Sequence, residues 1–291
     1  MILIVGCARS GSTLMMQWLA STDQFAYPTN FLSRFYASPY VGAIIQQMLV
    51  DSTYKYKEEF SDVQNLARFR SDLGKTSGLF APNEFYYFWR RFFKHGDIQY
   101  LTEDEFRKVD ANGFFTELGS IEAVFEKPLA MKGHLIGWNI PFFYSLLSNV
   151  IFVHVKREPV YNAQSLLEAR KKFYGDQTQW YSFKPVEYPA LKDLNPHQQV
   201  AGQVYFTNRA VQQGLSQVET RNRLTVSYEE FCISPQKTYR KLREQLSLFG
   251  YDLAPRYTGP KSFESANQVR LSKRQHNLIS KAYEEFQGNF G

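Results

Sequence analysis

The chain opens on an unbroken apolar run, Met1-Ile2-Leu3-Ile4-Val5, closed by Gly6. A short continuous apolar run rich in β-branched residues, with a glycine at its end, predicts a strand buried on both faces. A second such run, Val150-Ile151-Phe152-Val153-His154-Val155, lies in mid-chain. Two weaker ones follow the same reading: residues 127–133, ending in a turn at Gly133, and the short stretch Leu224-Thr225-Val226-Ser227. Helical spacing fills the intervals. Helices are predicted from about Ser12 to Ala20, over 41–50, and over 55–72 with Phe60, Val63, Leu66, Ala67 and Phe69 on one side. Thr102-Glu103-Asp104-Glu105 reads as a capped acidic helix start. Residues 120–126 read as helix or strand. Further helices are predicted over 139–148, from Pro159 through Arg170, over 197–218, over 235–249 with Gly250 as the stop, and over about 272–287. Residues 23–40 read as loop. So do 174–196, with Gly175, Pro185, Pro189 and Pro196, and that stretch is long enough to serve as a lid. The aromatic-dense segment 83–93 reads first as a helix packed on the sheet and second as the lining of a pocket.

Strand and helix alternate from end to end. The pattern predicts an α/β fold with a central, mainly parallel sheet flanked by helices. No internal repeat, low-complexity tract or linker interrupts it, so a single domain over 1–291 is expected.

The turn after the first strand carries the most chemistry. In Gly6-Cys7-Ala8-Arg9-Ser10-Gly11-Ser12-Thr13 two glycines stand five apart, and Thr13 has the place of the Walker A hydroxyl residue. Backbone N–H groups gathered at a helix N-terminus suit a phosphate. The Walker lysine is absent, however. Ser12 stands in its place, and Arg9, inside the loop, is the cation. Such a P-loop-like turn can hold phosphate but lacks the lysine that reaches the β- and γ-phosphates of a nucleoside triphosphate. A second set stands at the end of the mid-chain strand. Arg157 lies where ligands of open α/β sheets bind, and Ser165 follows eight residues later in the next helix. A guanidinium and a hydroxyl together suit a second phosphate.

A net charge of +6, spread without any run of six like charges, fits an anionic ligand and argues against nucleic acid. Cys7 and Cys232 are far apart and match neither a disulfide framework nor a metal motif, so reduced thiols and no metal are expected. The strand at the first methionine leaves no signal-peptide pattern, and no apolar stretch approaches the ~20 residues that span a bilayer. A soluble, cytoplasmic protein is expected.

Taken together, these motifs resemble the sulfotransferases that use 3′-phosphoadenosine 5′-phosphosulfate (PAPS). In that family an R/K-S-G-[ST]-T loop wraps the 5′-phosphosulfate, and here it reads Arg9-Ser10-Gly11-Ser12-Thr13. An R-x-P at the end of a later strand, with a serine eight residues on, holds the 3′-phosphate, and here it reads Arg157-Glu158-Pro159 with Ser165. A strand ending in Tyr-Glu-Asp/Glu corresponds to Tyr228-Glu229-Glu230, followed by a helix opened by Pro235. The Lys-x-His-Leu of the cytosolic branch corresponds to Lys132-Gly133-His134-Leu135. The resemblance covers 1–20, 127–170 and 224–250, and leaves 21–126 and 171–223 as the acceptor-binding insertions. It departs at Leu14, where cytosolic members stack a tryptophan on the adenine; Tyr228 is then the family-matched candidate for that stacking. The C-terminal Arg-Lys-Gly motif is also missing, although Arg270, Lys273 and Arg274 are basic there.

The resemblance implies transfer of a sulfuryl group from PAPS to a hydroxyl, less readily an amine, of a small-molecule, lipid or carbohydrate acceptor, with release of 3′,5′-ADP (PAP). It implies that Arg9 and residues 10–13 hold the phosphosulfate, that Lys132 neutralises charge at the bridging oxygen or the sulfuryl group, and that His134 takes the acceptor's proton. Glu117 and Glu126 are the carboxylate alternatives for that base. His95, His154, His197 and His276 have no such frame and read as structural or surface residues. A P-loop kinase or NTPase and a non-catalytic nucleotide-binding relative are the competing readings.

Overall fold

The computed structural model describes residues 1–50, 71–147 and 149–290, the side chain of His134 excepted. Its central sheet is parallel throughout and has four strands. These are β1 (Ile2–Val5), β4 (Ala130–Lys132), β5 (Ile151–Lys156) and β6 (Arg223–Ser227), in the order β4-β1-β5-β6. β1 lies between β4 and β5, with Ile4 opposite Lys132 on one side and Val153 on the other. The α/β expectation is met, with helix as the majority of the described structure.

Side chains on successive strand positions point to opposite faces, which divides the core in two. Leu3 and Val5 enter one cluster with Phe88, Trp89, Phe114, Met131, Phe143 and Phe152. Ile2 and Ile4 enter the other with Trp18, Ile151, Val153, Phe231 and Leu242. Helix α1 (Ser12–Ser21) begins at Gly11, whose φ of 103° only glycine adopts freely. Helix α2 (Pro39–Val50) matches its expected place. Of the helix expected over 55–72, residues 55–70 lie outside the described residues. Residues 71 and 72 are not helical. They form β2 (Ser71–Asp72), which pairs antiparallel with β3 (Lys75–Thr76). The turn between them has φ of 44° at Leu73 and 92° at Gly74, the two left-handed positions of a type I′ hairpin.

The aromatic segment becomes helix α3 (Tyr86–Phe92), with Phe88 and Trp89 in the core and Tyr86 and Tyr87 exposed. Thr102 caps α4 (Glu103–Phe106) through a reciprocal box with Glu105. Residues 120–125 close the longer helix α5 (Ala111–Phe125), and α6 (Ile140–Leu146) precedes β5. Helix α7 (Pro159–Tyr174) starts on a proline and ends at Gly175, φ 73°. The expected loop over 174–196 holds one short helix, α8 (Tyr188–Leu191). The remainder is α9 (Pro196–Ser216), capped by Asn195, then α10 (Tyr228–Ile233), α11 (Pro235–Ser247) and α12 (Lys273–Phe290). Among the described residues no helix is long and apolar enough to cross a membrane.

Candidate active site

The parallel sheet delivers the carboxyl ends of β1, β4 and β5 to one edge, and the site is built there. Gly6 ends β1 with φ 134°; a Cβ would come within 2.7 Å of the Val155 carbonyl, so only glycine lets the chain turn this close to β5. Arg9 follows, itself left-handed at φ 68°. Its Nε donates to Ser165 Oγ at 3.1 Å, and its carbonyl accepts from Arg157 Nη1 at 3.1 Å. The two predicted phosphate-binding sets therefore meet. Arg157 also donates to the Asn267 side chain and to the Ala266 carbonyl. Burial lowers the pKa of both Arg9 and Arg157, and the Arg157 charge adds to the effect on Arg9. Both remain cations. A buried guanidinium, Arg157, and a half-buried one, Arg9, with no carboxylate ion-paired to either among the described residues, form a site suited to an anion.

Tyr228 stands under this pair. Its ring lies 4.8 Å below the Arg157 guanidinium and packs so closely on Gly11 that any side chain at Gly11 would run into it. Its hydroxyl accepts from the Ala266 N–H at 2.9 Å. A cavity of about 610 Å³ opens over these groups, lined by Arg9, Gly11, Thr13, Arg157, Ser165 and Tyr228 among others. Its far wall is the strand-free segment Glu264–Arg270, which lay outside the family frame. Arg270 reaches the cavity paired with Glu168, while Lys273 and Arg274 open α12 and do not line it.

A second cavity of about 470 Å³ adjoins the first, and both share Arg9, Ser12, Thr13, Leu73 and Gly74. At this junction Lys132 comes off the end of β4, 4% exposed, and donates to Thr13 Oγ1 at 2.7 Å and to Glu84 Oε1 at 3.0 Å. The hairpin tip covers the loop from above; a Cβ on Gly74 would meet Arg9 Nη1 at 2.7 Å. Two contacts hold the hairpin to the end of α7: Lys172 with Asp72, and Lys75 over the Phe173 ring at 4.2 Å. The opposite wall, Tyr181, Ser182 and Phe183, belongs to the long loop after α7. Buried Arg170 pins that loop by donating to the Gln177 carbonyl and to Gln199, while Gln203 donates to the carbonyls of Tyr181 and Phe183. The aromatic segment thus serves both expected purposes, with Phe88 and Trp89 in the core and Glu84, Tyr86 and Tyr87 on the cavity.

Arg9, Ser12, Thr13, Lys132, Arg157, Ser165, Gly11 and Tyr228 line these two cavities. Ser10 follows in the same loop and is fully buried, its Oγ without a hydrogen-bond partner. His134 starts a 3-10 turn two residues after Lys132, and its side chain lies outside the described residues. Glu117 pairs with Arg91, and neither it nor Glu126 lines the cavities. The carboxylate at the junction is Glu84, which the sequence reading did not single out, although it is the lone acid in the aromatic run. Cys7 is buried and its pKa is pushed up to about 12, so it is a thiol and no nucleophile at neutral pH. Among the described residues no cluster of His, Cys, Asp or Glu has metal-binding geometry.

A sulfotransferase family model matches residues 2–251. No curated protein sequence matches the chain. Among solved structures, the fold is similar to that of sulfotransferase STF9 from Mycobacterium avium, at 12% identity and a TM-score of 0.51, over 99% of this chain and 68% of that one. Weaker likenesses are to the sulfotransferase domain of the curacin biosynthetic pathway (17% identity, TM-score 0.47, 98% of this chain and 89% of that one) and to that of the Synechococcus PCC 7002 olefin synthase (15%, 0.46, 99% and 94%). With a family match over residues 2–251, and a glycine-bounded loop after β1 that lacks the Walker lysine, the chain belongs to the sulfotransferase family.

Proposed function

We propose that the protein transfers a sulfuryl group from PAPS to a hydroxyl of a small-molecule, lipid or carbohydrate acceptor, releasing PAP. The observation that carries this reading is the junction at Lys132 and Thr13, where a cavity bearing Arg9 and Arg157 meets one walled by aromatic rings. Arg9 and the N–H groups of 10–13 hold the 5′-phosphosulfate, with Ser12 and Thr13 adding hydroxyls. Arg157 and Ser165 hold the 3′-phosphate, and Tyr228 supports that end beside the base. The acceptor oxygen attacks sulfur, and the bond from sulfur to the bridging phosphate oxygen breaks. Negative charge grows on that oxygen, and Lys132 neutralises it. The acceptor's proton passes to His134. Glu84 accepts from the Lys132 ammonium and holds it in place. No step needs a metal ion.

The test is thermal unfolding with nucleotides. PAP without magnesium is expected to raise Tm, by mass action on the folded state. Stabilisation only by ATP with magnesium would replace this reading with a phosphotransferase one. Stabilisation by PAP with no turnover of PAPS across a hydroxyl library would leave a nucleotide-binding relative.

A further inference from the structure

The acceptor cavity has a charge pattern that the transfer reaction does not use. Among the described residues, the charged ones on its walls are Arg9, Arg34, Lys75, Lys132 and Glu84. Arg9 faces the donor side, and Lys132 is paired with Glu84. Arg34 and Lys75 are left, both exposed to the cavity mouth. Among the described residues neither has an ion-pair partner; Lys75 rests on the Phe173 ring, which leaves its charge unneutralised. Arg34 lies in the 3-10 turn Leu32–Phe35. That turn is fixed by Asn30, which donates to the Gly78 carbonyl at 2.8 Å and accepts from Asn83 at 2.8 Å. Lys75 is fixed by the hairpin. The two cations thus come from hydrogen-bonded turns, and Tyr86, Tyr87, Tyr181 and Phe183 share the cavity wall with them.

Resting on the sulfotransferase reading, we infer that the acceptor is itself an anion. It carries the reacting hydroxyl at one end, a ring or chain that packs on the tyrosines, and a carboxylate- or phosphate-class group held by Arg34 and Lys75. An anionic acceptor gains charge-assisted hydrogen bonds from a guanidinium and an ammonium at once.

A matched pair of probes tests the inference: 3-(4-hydroxyphenyl)propanoate and its methyl ester, titrated by ligand-observed NMR against full-length protein saturated with PAP. The carboxylate is expected to bind at least about fivefold tighter than the ester, with the preference shrinking as salt rises. Arg34→Glu with Lys75→Glu is expected to abolish or invert the preference, and Arg34→Glu alone, which keeps the Lys75 contact with Phe173, is expected to reduce it with PAP affinity unchanged, which also shows that this variant is folded. Arg34→Gln alone is expected to reduce it. Equal binding, binding of the ester alone, no binding of either, or a preference untouched by the double variant overturns the inference. Failure of the wild-type protein to bind PAP is a separate result, and it overturns the donor reading instead.

Discussion

Lys132 connects the two halves of the site. Its ammonium touches the loop after β1 at Thr13 and the aromatic-walled cavity at Glu84, and burial leaves it little freedom to leave either. This arrangement separates two functions that kinetics can distinguish. His134→Ala is expected to lower kcat by about 10²–10⁴, the usual contribution of a positioned base, with PAP affinity unchanged. Glu84→Gln is expected to cost less, because the amide still accepts a hydrogen bond from Lys132. Steady-state turnover together with PAP binding checks both. The reverse order, with a near-normal His134→Ala and an inactive Glu84→Gln, assigns the proton to Glu84. Contiguity decided what could be read here from sequence. Arg9 to Thr13 are neighbours in the chain, so their joint chemistry is visible as a motif. Glu84 and Lys132 are neighbours only after folding.

At the scale of elements, α7 governs the site. Ser165 meets the loop after β1 at Arg9, Arg170 pins the wall bearing Tyr181 and Phe183, and Lys172 and Phe173 hold the hairpin. The sequence showed this helix from its opening proline onward, but it concealed the hairpin. A type I′ turn is normally announced by Asn-Gly or Asp-Gly; here Leu73-Gly74 occupies it between two-residue strands too short for any alternation to register. The strands of the sheet were legible for the opposite reason, because burial on both faces demands continuous apolar runs. His154 is the exception within β5. It is fully buried, its Nε2 lies 3.2 Å from Asn208 Oδ1, its Nδ1 has no hydrogen-bond partner, and burial lowers its pKa to about 4. The folded protein therefore holds the neutral ring where the unfolded chain, titrating near 6.5, takes up a proton. The contribution is intact above about pH 6.5 and declines as pH falls from there towards 4, by roughly 3 kcal/mol in all. Denaturant unfolding across that range is expected to show a shallower loss of stability for His154→Gln than for the wild type.

For the whole molecule, the two-faced core and the two cavities depend on one sheet whose carboxyl edge carries the donor loop, Lys132 and Arg157. The order of strands has a further consequence, in the time the chain takes to reach this state. β1 lies at the interior of the sheet, yet Ile2 finds its partners only at Ala130 and Ile151. During synthesis the most apolar segment of the chain waits, unpaired at both edges, until well over a hundred further residues have been made. Contacts this distant in sequence make folding slow, and an exposed apolar strand is prone to associate with other copies meanwhile. Refolding from denaturant is accordingly expected to lose yield steeply as protein concentration rises, and to recover it when dilution or a holding chaperone shields β1. A yield independent of concentration would show that β1 finds shelter before its neighbours arrive.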